Sequence, residues 1–545
     1  MHWRVINMKE TLKKKIDAIV KSLFNQKVES YDILVPEREE FGDLSTNVAF
    51  ILAKKLGKNP REIAQSIVDA VNKKKILEIE KSEIAGAGFI NFFISSSVYE
   101  KEVNVILKNK SKYGSNDIGK GKKVQVEFIS ANPTGPMTLG NGRGGFSGDT
   151  LANVLKKNGF NVKREYFIND TGNQVKGTLA KSIFRALDLD VKIEEGEDLY
   201  GGDYIDYIAR KIKKQKGIDW IKKNFEKSGE AGAKIILEDF IKKDIKYLGI
   251  KYDRWFSEKS LHEGGLVEKM WRYLKVKKLV YEQDGAYWLK TSEYGDDKDR
   301  VIKKSNGYYT YMMGDIAYMY DRLSIRKFDK VIMILGADHH GYLGRFMAVA
   351  DFLGHREKLN IVLAQLVRLS RNGVEVKMSK RKGNFITLRE IAEDIGVEAA
   401  RYFFISKDFN HHLDIDLDIA KAQNSKNPIY YIQYSSARIN SVLAKIKTKP
   451  ANKATSKIVF DKYETTLIKK LAQYPGTIRE VGESYQVYKI AFYAYDLAES
   501  FHKFYDHCRI VGDPREEIRL KIVKATKVVL DDALGVMGIK PKKKM

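Results

Sequence analysis

Two segments of the sequence combine residue types that suit the binding and transfer of phosphate groups. Residues 134–145 include five glycines together with Thr138 and Asn141. Glycine lets a nucleotide approach the backbone closely, and hydroxyl and amide side chains can donate hydrogen bonds to it. Residues 377–383 carry four cationic side chains in seven residues, which suits neutralising a polyphosphate as it leaves. Taken alone, each segment also fits a ligand-free glycine turn or a solvated basic loop.

A strand, loop and helix surround the glycine-rich segment. Residues 124–130 predict a buried strand, residues 131–136 predict a turn, and a helix of small residues begins at Gly140. A second strand over residues 162–168 completes a βαβ unit of the length that parallel strands require. The glycine-rich segment therefore follows the carboxyl end of a strand, where such sheets bind ligands.

The strand and helix pattern returns later in the chain. Residues 330–335 predict another apolar strand, and a helix with Phe346, Val349 and Phe352 on one face follows it. The two units are separated by mostly helical sequence at about residues 175–310. The fold class predicted for this region is α/β, a Rossmann-type doubly wound parallel sheet that a helical insertion splits.

Predicted elements also flank the basic segment on both sides. Residues 361–369 and 374–376 flank an Asn-Gly turn, which predicts a hairpin. Thr387 and Glu390 have the spacing of a capping box, so a helix is expected to begin there. The basic segment is thus a loop between a hairpin and a helix. From about residue 390 to the end, the periodicity predicts helices without strands.

The beginning of the chain predicts a separate small module. Residues 9–24 and 48–56 have helical periodicity, Pro60 opens a third helix, and residues 84–94 read as strands interrupted by glycine. The first 110 residues or so are therefore expected to form an α+β module.

Composition limits the class of protein further. The 545 residues suggest about three or four domains, and the net charge of +26 indicates a polyanion or a membrane surface as partner. The chain lacks an apolar run long enough to span a bilayer and the apolar core of a signal peptide, so a cytoplasmic protein is expected. The single cysteine, Cys508, excludes an intrachain disulfide and a cysteine-based zinc site, and it is interpreted as a packed thiol.

The two phosphate-binding segments resemble the signatures of class I aminoacyl-tRNA synthetases. Lys377-Met378-Ser379-Lys380-Arg381 is similar to the Lys-Met-Ser-Lys-Ser loop of that class. Thr138-Leu139-Gly140-Asn141 stands in the place of the His-Ile-Gly-His element, with both histidines replaced. Threonine and asparagine keep hydrogen-bonding capacity but lose the option of a cationic imidazolium. A Thr-x-Gly-Asn version resembles the form in tryptophanyl members.

Within that class the resemblance is to the arginyl-tRNA synthetases, and it extends over essentially the whole chain. The similar segments are residues 42–47, 126–136, 164–174, 255–258, 336–342, 397–402 and 427–434. The resemblance implies four parts: an N-terminal α+β module that contacts the tRNA elbow (1–113), a Rossmann-type catalytic domain with the insertion (114–360), a stem region with the lysine loop (361–422), and an all-α anticodon-binding domain (423–545).

The resemblance also implies roles for individual residues. The catalytic residues would be Lys377, Lys380, Thr138 and Asn141. The ATP-binding residues would be Pro136, Thr138, Gly140, Asn141, Met378 and Lys380. The arginine-binding residues would be Glu127, Asn132, Tyr311, Asp315 and His339. No resident metal is expected, and Mg²⁺ would accompany ATP.

The residues implied for arginine agree with the chemistry of its side chain. A guanidinium group needs carboxylates, because its planar set of donors pairs with them in a bidentate way. Glu127 lies in a predicted apolar strand, where an unpaired carboxylate would be costly, so a binding role is the better interpretation. Tyr311 and Asp315, four residues apart, fit a helix-face pair equally well without the family resemblance.

The implied function is the ATP-dependent attachment of L-arginine to its tRNA through an arginyl-adenylate, in a monomer that contacts no membrane. In this family the adenylate step characteristically requires bound tRNA. Three alternatives stay open on the sequence: a synthetase of the same class for another amino acid, a catalytically silent tRNA-binding relative, and a nucleotidyltransferase that acts on small molecules. The missing signature histidines motivate the silent relative, whereas the lysine loop and the paired carboxylates argue against it.

Overall fold

The computed structural model describes residues 4–36, 38–74, 76, 78–376, 386–445 and 459–545. The first part of the chain forms a small α+β module. Its elements in chain order are α1 (Arg4–Phe24), β1 (Ile33–Leu34), β2 (Leu44–Thr46), α2 (Val48–Leu56), α3 (Pro60–Lys73), β3 (Ile79–Ala85), β4 (Phe89–Ile94) and α4 (Ser96–Asn109). The strands pair antiparallel in the order β1–β2–β4–β3.

Local signals explain where the helices of this module begin and end. Gly57 ends α2 in the left-handed conformation, with φ 64°, which glycine adopts at little cost. Asn59 caps α3 by accepting a hydrogen bond from the Arg61 N–H at 2.8 Å, and Pro60 occupies the first helical position. The helices and strands predicted for this part of the sequence are confirmed.

A five-stranded parallel sheet forms the centre of the next part of the chain. Its elements and those inserted between them are β5 (Lys123–Glu127), α5 (Leu139–Lys157), β6 (Asn161–Ile168), α6 (Ala180–Ala186), α7 (Asp203–Lys216), α8 (Ile218–Lys223), α9 (Phe225–Ile236), α10 (Lys242–Tyr247), β7 (Arg254–Ser257), α11 (Lys259–Glu263), α12 (Leu266–Val276), β8 (Val280–Gln283), β9 (Ala286–Leu289), β10 (Arg300–Lys303), α13 (Tyr311–Tyr320), β11 (Lys330–Gly336), α14 (Leu343–Phe352) and β12 (Leu359–Ala364). The strand order is β12–β11–β5–β6–β7.

Burial on both faces explains why the central strands are almost continuously apolar. Val124 and Val126 of β5 and Ile332 and Ile334 of β11 are each at most 4% exposed. Helices cover both faces of a parallel sheet, so inward and outward side chains alike are removed from water. The predicted doubly wound parallel sheet is therefore confirmed.

The segment at about residues 175–310, which the sequence predicts to be mostly helical, also contains four short strands. β7, inside residues 175–310, pairs in parallel with β6 and forms the edge of the central sheet. Strands β8, β9 and β10 form a separate antiparallel sheet. The strands of this segment are only four residues long, so their alternation is too brief to stand out between long helices.

The last part of the chain is mainly helical. Its elements are β13 (Val367–Arg371), β14 (Val374–Glu375), α15 (Leu388–Ile395), α16 (Val397–Ile405), β15 (Leu413–Asp416), α17 (Leu417–Lys421), α18 (Pro428–Ala444), α19 (Lys462–Ser484), α20 (Tyr488–His507) and α21 (Glu516–Val536). Short 3₁₀ or π segments are Glu39–Phe41, Lys110–Lys112, Gln174–Leu179, Leu237–Ile241, Ser292–Tyr294, Asp321–Ile325, Ala337–Tyr342 and Arg356–Lys358. Described residues from 423 onward contain helices and connections but no strand, in agreement with the predicted all-α part.

Two predictions for the stem need correction. The apolar run at residues 361–369 is not one strand of a hairpin, because β12 belongs to the central sheet and β13 to a second sheet with β14 and β15. The prediction that no strand follows residue 390 is wrong, since β15 pairs in parallel with β13. The hairpin itself is confirmed, with Asn372 and Gly373 both at positive φ in the turn between β13 and β14.

Two further expectations from the sequence can be compared with the structure. Cys508 is buried, and burial together with the charge of Asp461 raises the pKa of its thiol to about 12. Such a thiol is not reactive at neutral pH, as expected. Among the helices in the described ranges, none is long and apolar enough to cross a membrane.

A buried arginine joins the central sheet region to the last helices. Arg401 of α16 is 1% exposed. Its Nη1 donates to Asp149 Oδ2 and to the Met537 carbonyl, both at 3.0 Å, and its Nε donates to the Leu248 carbonyl at 3.1 Å. This one side chain therefore holds α5, the end of α10 and the end of α21 together.

Replacement of Arg401 by leucine should destabilise the protein by about 3–5 kcal/mol, because it removes one partner of a buried charge pair and leaves two buried carbonyls without a donor. Arg38→Leu is the matched control, because Arg38 and Glu40 form an exposed pair and its loss should change stability by less than about 1 kcal/mol. Urea denaturation of both variants measures the difference. Equal unfolding midpoints for the two variants would contradict the role assigned to Arg401.

Candidate active site

Two adjoining cavities lie at the carboxyl ends of the central strands. The first has a volume of about 360 Å³ and the second of about 230 Å³. Both are lined by Ile129, Ile334, Leu335, Gly336 and His339, so they share one wall. Ligands of a doubly wound sheet bind at this end. Two ligands could therefore occupy the cavities in contact with each other.

The amino end of α5 forms one side of the first cavity. Asn141 Oδ1 accepts hydrogen bonds from the Thr138 backbone N–H at 2.8 Å and from the Thr138 hydroxyl at 3.2 Å. A Cβ on Gly140 would meet no atom within 4 Å, so the backbone there is open to the cavity. Thr138 and Asn141 thus cap the helix and line the cavity at once. The helix end offers positive potential to a phosphate group.

A buried arginine positions the opposite wall of the first cavity. Arg143, on the second turn of α5, donates from Nη1 to the carbonyls of Gln365 at 2.8 Å and His411 at 2.7 Å, and from Nη2 to the Asp408 carbonyl at 2.6 Å. Gln365 and its neighbours Leu366 and Val367 line the cavity. The distance between the helix end and this wall is therefore set by one side chain.

The exit of the lysine loop lies beside the first cavity. Thr138 forms an isolated antiparallel bridge with Thr387, and the Leu388 N–H donates to the Met137 carbonyl at 2.9 Å. Ile386 lines the cavity. Thr387 and Glu390 form the predicted capping box.

The residues predicted in the loop itself, Lys377, Met378 and Lys380, lie outside the described residues. Pro136, also predicted to bind ATP, lies in the turn before α5 and outside the cavity wall.

The chain makes a strained turn where β5 enters the site. Ile129 has φ 64° and Ser130 has φ 41°. A β-branched residue at positive φ is unusual and costs about 1–3 kcal/mol, so the surrounding structure must hold it. The Ser130 hydroxyl donates to Glu127 Oε1 at 3.2 Å and accepts from the Phe167 N–H at 3.1 Å. Ile129 thereby becomes part of the wall between the cavities.

Paired charges stand side by side at the deep end of the second cavity. Helix α13 and the π segment Asp321–Ile325 bring Arg322 and then Arg326 over the strands. Arg326 binds Glu165 of β6 through two hydrogen bonds, at 2.5 and 2.8 Å. Arg322 donates to Glu127 Oε2 of β5 at 2.6 Å. Glu127 and Glu165 are register partners on neighbouring strands, so the two pairs are adjacent.

Glu127 is thus already engaged by a side chain of the protein. It is 4% exposed and Arg322 is 1% exposed. Burial raises the pKa of Glu127, and the positive charge of Arg322 opposes that shift. The hydrogen bond that Arg322 donates at 2.6 Å favours the ionised form of Glu127. Its direct contact with a substrate guanidinium, which the sequence predicted, remains a prediction, although Glu127 lines the cavity.

Asp315 is the carboxylate in this cavity that lacks such a partner. It is half-buried and lines the cavity, and no group in the described part of the chain donates a hydrogen bond to it. Burial raises its pKa to about 7, which the positive charges of Arg322 and Arg345 oppose and the charge of Glu127 reinforces. A cation that entered the cavity would favour the ionised form of Asp315.

The other residues predicted to hold arginine surround the mouth of the second cavity. Tyr311 is 52% exposed, and its hydroxyl accepts a hydrogen bond from the Asn173 N–H at 3.1 Å. Asn132 donates to Gln174 Oε1 at 2.8 Å and accepts from Asn169 Nδ2 at 2.6 Å. His339 is exposed and lies on the wall shared by the two cavities. All five predicted arginine-binding residues line this cavity.

Several residues of the site were not identified in the sequence. Arg322 could have been found, because Tyr311, Asp315, Tyr318 and Arg322 repeat at intervals of four, three and four residues, which puts them on one helix face. Gln174 and Asn169 fall within a segment similar to the family, but nothing in their spacing marked a role. Ser130 acts through its hydroxyl, and Gln365 acts through its backbone carbonyl. Their partners Phe167 and Arg143 are distant in the sequence, so a sequence pattern does not reveal these roles. In the described residues no group of three or more acidic, histidine or cysteine side chains is arranged to hold a metal ion.

Models of known protein families match most of the chain. The chain matches the arginyl tRNA synthetase N terminal domain over residues 9–94, the catalytic domain of class I (R) tRNA synthetases over residues 102–443, and the DALR anticodon binding domain over residues 432–545. The catalytic match alone covers more than half of the chain.

Similar whole proteins carry the same description. The arginine–tRNA ligase of Carboxydothermus hydrogenoformans is 42% identical over 95% of this chain and 94% of its own length. The arginine–tRNA ligase of Bacillus subtilis is 39% identical over 99% of both chains. The solved arginyl-tRNA synthetase of Thermus thermophilus has a TM-score of 0.72 at 20% identity, over 98% of this chain and 100% of that one, which supports the fold alone.

The two carboxylates of the second cavity should respond differently to substitution. Glu127→Gln should lower the free energy of unfolding by about 3–5 kcal/mol, because Arg322 loses its buried partner. Asp315→Asn should not lower it. The folded protein holds a proton on Asp315 between about pH 4 and pH 7, so ionisation of Asp315 makes the wild type less stable as pH rises through that range. Asp315→Asn should therefore be as stable as the wild type at pH 4 and more stable at pH 7.5.

Urea denaturation of both variants and the wild type at pH 4, 5.5 and 7.5 tests these expectations. A loss of stability in Asp315→Asn at pH 7.5 similar to that in Glu127→Gln would contradict the assignment of Asp315 as the unpaired carboxylate.

Proposed function

The chain belongs to the arginyl-tRNA synthetase family, and from that premise we propose that it joins L-arginine to tRNA at the expense of ATP, through an arginyl-adenylate. The observation that carries this proposal is the carboxylate of Asp315, which receives no hydrogen bond from the described residues and lines a cavity that shares a wall with the first cavity. One ligand would be a cation and the other a nucleotide, in contact at the shared wall.

The second cavity would take the amino acid. Asp315 would bind the guanidinium group, because a carboxylate accepts two of its N–H groups at once. Glu127, although paired with Arg322, would add negative electrostatic potential to the cavity. The Tyr311 hydroxyl would contact the arginine side chain at the mouth of the cavity. Asn132 and His339 would hold the α-amino and carboxylate groups near the shared wall. Lysine would fit this cavity less well, since its single ammonium cannot form the bidentate pair.

The first cavity would take ATP. The N–H groups at the start of α5, with Thr138, Gly140 and Asn141, would receive the phosphates, and Mg²⁺ would enter with ATP, held largely by its phosphates. Lys377 and Lys380 would reach the phosphates from the loop whose exit, at Ile386 and Thr387, lies beside the cavity.

The chemistry is then largely positional. An oxygen of the arginine carboxylate attacks the α-phosphorus of ATP, and the bond from that phosphorus to the β-phosphate oxygen breaks. Lys377 and Lys380 would stabilise the charge on the departing pyrophosphate. A hydroxyl of the terminal ribose of the tRNA next attacks the carbonyl carbon of the adenylate, and AMP leaves. Thr138 and Asn141 would supply neutral hydrogen bonds where other class members use imidazoles.

The remaining parts of the chain would bind tRNA. The N-terminal module would contact the elbow of the tRNA and the C-terminal helices its anticodon, and the net charge of +26 suits a polyanion. We expect the protein to act as a monomer in the cytoplasm. A catalytically silent tRNA-binding relative would have no need of the Asp315 cavity beside the helix end, and a synthetase for a neutral amino acid would have no need of its charge.

Pyrophosphate exchange and tRNA charging test the proposal directly. We expect charging with arginine and not with lysine or citrulline, and exchange only when tRNA is present. Lys380→Ala should reduce the exchange rate by about 10²-fold or more, because a donor to the developing charge is lost. Lys426→Ala is a matched control, since Lys426 is an exposed lysine before α18 and away from both cavities. Tight tRNA binding without charging of any amino acid would favour the silent relative instead.

A further inference from the structure

A second acidic side chain lies behind Asp315 and has no role in the steps above. Glu258 follows β7, and its N–H donates to the Ile168 carbonyl at 2.9 Å, which fixes its backbone beside β6. The side chain is 4% exposed, and within the described ranges Oε2 has no hydrogen-bond donor. A buried carboxyl group without a donor is costly, so its position calls for a ligand or a proton.

The packing directs Glu258 to the residue beside Asp315. A Cβ on Gly314 would clash with Glu258 Oε1, so the carboxyl group rests against the backbone of α13 one residue before Asp315. Any larger residue at position 314 would push the two acids apart. Glu258 is not part of the wall of the second cavity, whereas Asp315 is. It can therefore act on a ligand there only through Asp315.

We infer that Glu258 is a second acid of the arginine site, positioned behind Asp315, and that entry of the substrate guanidinium expels a proton from this pair of carboxyl groups. The inference rests on the proposed function, because it assigns the guanidinium to Asp315. In this step an O–H bond of a carboxyl group breaks, the proton passes to solvent, and the positive guanidinium takes its place. Glu258 is thus a positioning residue, which sets the charge that Asp315 presents.

The electrostatics around the two acids agree with this assignment. Burial, together with the charges of Asp315 and Asp170, raises the pKa of Glu258 to about 8, and burial raises the pKa of Asp315 to about 7. Both groups thus titrate in the range where the enzyme would work. The charged groups around the pair are Arg322 and Glu127 toward the sheet, Arg345 on α14, Asp170 after β6, and Lys259 and His262 on α11.

Among the described residues, no cation donates a hydrogen bond to either acid of the pair. The Arg345 guanidinium, whose charge favours the ionised form of Asp315, stacks over the Tyr342 ring at 4.4 Å. Arg322 is engaged by Glu127 at 2.6 Å, and the Lys259 ammonium turns to Glu230 at 3.1 Å. Asp170 accepts from the Ser257 hydroxyl and from the Lys259 N–H at 3.0 Å. A ligand guanidinium would supply the hydrogen-bonded positive charge that the described residues do not give to this pair. The affinity for arginine should therefore rise with pH from about 6 to 8.5, as the pair loses its protons.

The test is the number of protons released when arginine binds. At pH 7.5 the wild type should release roughly one proton per arginine, since pKa values of about 7 and about 8 leave together about one proton on the pair. Glu258→Gln keeps the size and removes the titration, so it should release roughly a quarter of a proton, from Asp315 alone. Calorimetry in two buffers of different ionisation enthalpy measures this number, and the arginine α-amino contribution cancels between the two proteins.

A second readout separates this role from a structural one. The KM for arginine in pyrophosphate exchange should fall between pH 6.5 and 8.5 in the wild type and should fall less steeply in Glu258→Gln, with the KM for ATP unchanged. Glu230→Gln, which removes an acid that pairs with Lys176 and Lys259 away from the cavities, should behave like the wild type.

Different results would overturn different claims. Equal proton release by the wild type and Glu258→Gln, or none by the wild type, would overturn the inference even if the enzyme charges tRNA with arginine. No charging with arginine by the wild type would instead overturn the proposed function. Thermal unfolding of Glu258→Gln shows whether the variant is folded. If it is not, proton release by the wild type alone still decides the question.

Discussion

The cost of burying negative charge is the constraint on which the site depends. The carboxyl ends of β5 and β6 carry Glu127 and Glu165 side by side in an interior that excludes water. Two such charges are tolerated only because Arg322 and Arg326 reach them from a single helical segment. Once these arginines are committed, Asp315 receives no hydrogen bond from the residues that the structure describes. The two ion pairs thus leave one carboxylate, Asp315, for a further guanidinium group to pair with.

The sheet and its helices hold these charged side chains in fixed positions relative to one another. Parallel pairing of β5 and β6 puts the two glutamates opposite each other, and α13 with the π segment after it brings Asp315 and Arg322 to the same cavity. Arg143 performs a similar task for the first cavity, because three carbonyls from two separate segments converge on it. In both places an arginine that binds no substrate determines the shape of a cavity. The start of α5 and the start of α15 are held together by backbone contacts.

Much of the architecture could be predicted from the sequence because its signals are local. The helix end at Gly57, the proline at the start of α3, the Asn-Gly turn and the capping box at Thr387 each depend on residues close in sequence. Strands β7 and β15 were missed because four residues give too little periodicity, and their partners are distant in the chain. Among the described residues, the site residues taken from the family resemblance do gather around the cavities, apart from Pro136. The engagement of Glu127 by Arg322, separated by 195 positions, could not be predicted, because pairing of charges depends on the completed fold.

The wall between the two cavities has a consequence for ligand design. Ile129, Ile334 and Gly336 line both cavities, so a guanidinium in one and an adenosine in the other would lie on the two sides of one shared wall, within reach of a short covalent linker. A compound that joins both groups would bind the second cavity at a high effective concentration once the first is filled. It would lose overall translational freedom once rather than twice. The strained turn at Ile129 holds this wall in place. The site is therefore suited to bisubstrate inhibitors, whose two halves would each bind weakly to a single cavity.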